Sequence, residues 1–131
     1  MSVARTIVLA LCASLAAPGA ASHAAPPTAA QLAKDRADAA DKAFHLASTG
    51  HRAGTVAPEA VYAWSVRWLG AALEAAPKTA RQAFADHLAR MIDLEAAVQK
   101  MNAAGAASAL DLGAAAYYRL EAELWSTRGR R

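Results

Sequence analysis

The sequence predicts an all-α protein of antiparallel helical hairpins or a four-helix bundle, preceded by an N-terminal signal peptide. Three observations carry this. Apolar residues beyond position 28 recur at spacings of three and four, the period of a helix face. No stretch alternates apolar and polar residues as a half-buried strand does. The first residues run basic, apolar, small, which is the order of an export signal.

That order begins with Arg5, continues through the charge-free run at 6–17 (TIVLALCASLAA), and ends in PGAASHAAPP. Ser22 and Ala24 place small residues where a signal peptidase reads them, so cleavage is expected after Ala24. The apolar run is shorter than the roughly 20 residues a spanning helix needs, so no transmembrane span is expected in the mature chain. Cys12 falls inside the signal and follows Leu11 rather than a small residue, unlike a lipid-modified cysteine. The mature chain then holds no cysteine, which excludes a disulfide, a thiolate metal site and a cysteine nucleophile. The location expected is the periplasm or the exterior.

Removing residues 1–24 takes one base, Arg5, from the 14 basic residues and leaves 13 against 11 acidic, a net charge of +2. Three of those bases are Arg128, Arg130 and Arg131, in a basic tail expected over 126–131. The body is thus near neutral, which argues against nucleic acid as a partner. Much of the 56% hydrophobic content is alanine, which favours helix but buries little area. The few large residues are expected to form the core.

After a short leader at 25–27, Thr28 and Gln31 have capping-box spacing and open the first helix of a helical domain over 28–125. This helix is expected to run to about Ser48 and stop at Gly50, giving a loop over 50–57. Pro58 suits the first turn of a second helix. Its seam is expected at Tyr62, Val66, Leu69, Leu73 and Ala76, with Pro77 as breaker. Thr79 and Gln82 again have capping-box spacing. The third helix has its seam at Phe84, His87, Met91, Leu94, Val98 and Met101. A turn over 102–107 leads to Ser108 and Asp111 at the start of the fourth helix, whose expected seam is Leu110, Gly113, Tyr117, Leu120 and Leu124. Gly113 in a seam implies a close helix approach.

The stretch MNAAGAASALDLGAAAYYRLEAELW at 101–125 places a glycine turn (Gly105), a small hydroxyl residue (Ser108), an acid (Asp111) and an alanine-rich helix (Ala115, Glu121, Leu124) in succession. In this it resembles the periplasmic helical hairpin of outer-membrane efflux channels. The resemblance covers about a fifth of the chain and implies a periplasmic hairpin. The chain lacks the length and barrel strands of a channel. The segment at 62–67 (YAWSVR) resembles a feature of small secreted bacterial proteins.

The candidate metal ligands are His87, Met91 and Glu95, spaced by four along one helix face. Imidazole, thioether and carboxylate suit copper or nickel. Against this, His87 and Met91 occupy consecutive seam positions, where methionine fills core gaps. Asp41 and His45 stand four apart as a pair, and His51 lies in the expected loop without a partner ligand. Trp64, Arg67 and Trp68 are the candidate partner surface, because tryptophan and arginine dominate binding hot spots. Arg119 and Glu123 suit a surface ion pair. No phosphate loop, zinc-protease motif or nucleophile elbow is present. Neither a cofactor nor catalysis is expected. The role expected is a protein-interaction module that binds an envelope protein or itself. A second reading is a metal-responsive or envelope-stress sensing bundle.

Overall fold

A computed structural model describes residues 25–129. The expected signal peptide, Arg130 and Arg131 lie outside the described residues. The chain is all-α: α1 (Ala29–Arg52), α2 (Pro58–Ala75), a 3₁₀ turn (Pro77–Thr79), α3 (Ala80–Ala103) and α4 (Ala109–Arg128), with no strand among the described residues. None of these helices is long and apolar enough to cross a membrane.

The helices form two antiparallel hairpins. Arg36 near the start of α1 meets Glu74 near the end of α2 at 2.7 Å. Gly129 after α4 lies against Phe84 near the start of α3. Helix α2 packs along α1, then on α3 and more lightly on α4, so it is common to both hairpins. Between them sits one core, with Phe44, Val61, Met91, Leu94 and Val98 as its large members and Ala115 and Ala122 as its contribution from α4.

Local chemistry accounts for the helix ends. Thr28 Oγ1 accepts from Gln31 N at 3.1 Å, but the Gln31 side chain turns to Asp35, so only half of the expected box forms. Helix α1 passes through Gly50 rather than stopping there, because the following loop folds Val56 over it. A Cβ at position 50 would lie 2.5 Å from Val56 Cγ2. The reversal falls at Gly54, whose φ of 74° suits glycine. The box expected at Thr79 is absent. Thr79 has φ −100° and ψ 14°, outside the extended region a cap requires, and its hydroxyl donates to Ala76 O at 2.9 Å. Ser108 and Asp111 form the full reciprocal box. Its hydrogen bonds, led by the one from the Ser108 backbone, hold the Asp111 carboxyl below its ordinary pKa. Helix α4 continues to Arg128 with Ser126 buried, so the regular structure outlasts the expected start of the tail at 126.

Two expected seams are displaced. In α2 the buried line is Val61, Ser65 and Leu69, while Tyr62 and Val66 are half-buried beside it. In α4 the register is rotated. Ala115 and Ala122 are 0% and 1% exposed, whereas Leu110, Tyr117, Leu120 and Leu124 are 81%, 59%, 54% and 48% exposed. Gly113 faces open space and mediates no close helix approach. The α3 seam holds from His87 through Met91 and Leu94 to Val98, with Ala83 buried and Phe84 half-buried at its start.

Candidate functional site

The most unusual interior group is His87. It is fully buried on α3, and its Nδ1 lies 2.8 Å from Ser65 Oγ, itself fully buried on α2. The indole of Trp125 on α4 stacks on the imidazole with centroids 5.5 Å apart. Three helices therefore meet at this ring. Its Nε2 has no hydrogen-bond partner. Burial first, and the charge of Arg90 second, lower the His87 pKa from 6.5 to about 4, against a smaller opposing effect of Glu121. The ring is neutral at physiological pH.

A serine beside a histidine raises the question of nucleophilic catalysis. The productive arrangement needs a base oriented by a third group and a reacting atom that reaches the serine. Here the second ring nitrogen is unpartnered and neither side chain has accessible surface. The pair is built as an interior hydrogen bond. Spacing offered a signal for Ser65, which stands four residues from both Val61 and Leu69, but a hydroxyl does not register in an apolar seam.

A polar belt lies beside this pair. Tyr62 stacks on Tyr118, with centroids 4.0 Å apart and planes 8° from parallel. The Tyr62 hydroxyl donates to Glu121, and Tyr117 donates to the other Glu121 oxygen at 3.2 Å. Burial, then the Glu121 hydrogen bond, raises the Tyr62 pKa above its ordinary value.

Of the three candidate ligands, His87 and Met91 are both fully buried in the core. Glu95 is half-buried and accepts from Arg119 Nε at 2.7 Å, while Arg119 Nη1 donates to Glu123 at 2.6 Å. Among the described residues no three or more His, Cys, Asp or Glu side chains are grouped to hold a metal ion. The expected Asp41–His45 pair forms at 3.4 Å. His51 lies within the last turn of α1 rather than in a loop. It is buried, and its Nδ1 donates to Val56 O at 3.0 Å. A carbonyl only accepts, so the proton sits on Nδ1.

Trp64 and Arg67 meet, the guanidinium lying 4.5 Å from the ring centroid, and both line a groove against α1. Trp68 serves elsewhere. Its face carries Arg90 at 3.8 Å, and Phe44 covers the same guanidinium at 4.2 Å. Arg90 Nη2 donates to Asp41 at 2.5 Å, so one α3 residue ties α1, α2 and α3 together. Nothing in the spacing of Arg90 singles it out, because its partners come from two other helices.

Comparison with known families, characterised proteins and solved structures finds no match.

Proposed function

We propose that this is a secreted, periplasmic helical protein that acts without catalysis, by pairing the outer face of α4 with a second copy of itself. The observation that carries this reading is the inversion of α4. Its small residues face the core, and its large ones line the outside as Leu110, Tyr117, Leu120 and Leu124. With Gly113 they repeat at three and four, the pattern of a coiled-coil seam. A contiguous apolar stripe of this kind marks an interaction surface. Supporting export are Arg5, the apolar run at 6–17 and the small residues before Ala25.

The stripe suits a parallel pair. In that register Glu123 of one copy faces Arg128 of the other, five positions on, giving two opposite-charge contacts at the seam's edge. Gly113 leaves room for a close approach, since a Cβ there meets nothing within 4 Å. All four large side chains are about half exposed or more, so pairing removes a continuous apolar row from water on each copy.

Analytical ultracentrifugation of the mature chain across a concentration series tests this. A monomer–dimer equilibrium is expected, abolished in Leu120→Glu/Leu124→Glu with helical circular dichroism retained. A strictly monomeric chain, or a dimer that survives the double substitution, overturns the reading.

A further inference from the structure

Helices α1 and α3 run in the same direction and both lie on α2, so a groove is left between them beyond the Arg90 tie. Two cavities occupy it, of about 320 and 480 Å³, and they share Arg52 and Ala97 at their junction. Both volumes fall in the range of small-molecule sites, roughly 300–1,000 Å³. The two compartments differ in chemistry. The first is lined by Ser48, Thr49 and His45 and by the charged residues Arg52, Arg90 and Asp93. Arg90 Nη1 is buried with no hydrogen-bond partner. The second is walled by Ala53, Ala97, Met101, Ala104 and Ala106, with Arg52 and Lys100 as its cations.

Charge along the groove is unbalanced. Among the described residues, Asp93 is the one carboxylate on the walls of the two cavities, against Arg52, Arg90 and Lys100. Asp41 offsets Arg90 by direct contact. With Asp93 set against one of the remaining two, a full positive charge is left over at neutral pH. Cations beside an apolar trough recognise a ligand that is anionic at one end and aliphatic at the other.

We infer that the α1–α3 groove binds a single-chain amphiphile with an anionic headgroup. The headgroup takes the junction of the two compartments, where Arg52 lines both and Lys100 lines the second, and the aliphatic tail lies along Ala97, Met101 and Ala104. A free fatty acid and a lysophospholipid share this chemistry. The site is separate from the α4 face and does not depend on pairing.

The test titrates the mature chain, by calorimetry and amide NMR shifts, with octanoate, octanol and an eight-carbon lysophosphatidylglycerol, each below its micelle concentration. Saturable one-to-one binding of an anionic amphiphile is expected, with shifts at Ser48, Thr49, Arg52, Ala97 and Lys100. Octanol is expected to bind about tenfold more weakly, because it lacks the charge. Arg52 and Lys100 are exposed, so Arg52→Gln/Lys100→Gln is expected to keep its fold and lose about tenfold in affinity. Tighter binding of octanoate assigns the natural ligand to free carboxylates, and tighter binding of the lysolipid assigns it to phospholipid products. Absence of saturable binding overturns the inference. So do equal binding of octanol, an unaffected glutamine double variant, and shifts confined to α4. Leu120→Glu/Leu124→Glu is expected to bind as the parent chain does, which separates this inference from the pairing of α4.

Discussion

Ser65 Oγ and His87 Nδ1 lie 2.8 Å apart with no solvent access to either side chain, joining α2 to α3 through a polar contact inside an apolar seam. Each removes a desolvation penalty the other would carry alone. Ser65→Ala leaves Nδ1 unsatisfied and is expected to cost about 1–3 kcal/mol. The double variant Ser65→Ala/His87→Leu is expected to recover part of that loss, since no polar atom of the pair is then stranded. Urea unfolding of the two single variants and the double variant checks this, and additive losses would deny the coupling.

The same burial gives the fold a defined acid sensitivity. The unfolded His87 takes up a proton near pH 6.5, while the folded ring resists protonation until about pH 4. Between these values the unfolded state binds more protons, so stability falls as the pH drops through that window and is flat with respect to this group above it. The change is of the order of 3 kcal/mol. Chemical denaturation at stepped pH is expected to show this slope in the parent chain and a markedly shallower one in His87→Leu.

Residue size reads backwards along α4. Ala122→Leu inserts bulk into the close-packed interior and is expected to cost about 1–3 kcal/mol. Leu124→Ala removes a larger side chain from the outside and is expected to change the stability of the dilute monomer by less than about 0.5 kcal/mol. Urea midpoints at low protein concentration compare the two.

Arg90 is held by a planar sandwich as well as by charge. Arg90→Lys keeps the charge but loses the flat guanidinium between Phe44 and Trp68, and is expected to cost about 1–2 kcal/mol. Trp fluorescence is expected to rise as the stacked cation leaves Trp68. A lysine variant with parent stability would mean that the sandwich contributes nothing.

Helix starts that look alike in sequence differ in energy. Ser108→Ala breaks a complete capping box and is expected to cost about 1 kcal/mol. Thr79→Ala removes a hydroxyl that caps no helix and is expected to cost a few tenths of a kcal/mol. Thermal unfolding of the two variants tests the contrast.

The helices and the α3 register were legible in the sequence because Met91, Leu94 and Val98 are themselves large and continue an unbroken three-four spacing, which outweighs Leu88 and Ile92 beside it. The α4 register was not. Its seam passes through Ala115 and Ala122, and alanine on every side of the helix marks no face. In α2, Tyr62 and Val66 outweigh Val61 and Ser65 in bulk, which moves the apparent seam by one residue. The capping pattern at Thr79 misleads because Pro77 initiates a 3₁₀ turn that brings the threonine hydroxyl back onto Ala76 O. His87 was visible as an anomaly, but its partner lies 22 residues away on another helix. Arg90 needed the full packing of three helices before its role could be seen.

The alanine interior of α4 also bears on how the molecule opens. Alanine loses no rotamer freedom when it is buried, so α4 docks at low entropic cost and gains correspondingly little cohesion. Its hold on the rest of the molecule includes the rings of Tyr118 and Trp125, the Tyr62–Glu121 hydrogen bond and the Arg119–Glu95 pair. Amide exchange should therefore divide the chain unevenly. The central α2 should exchange only through global unfolding, while α4 releases as a separate cooperative unit at lower free energy.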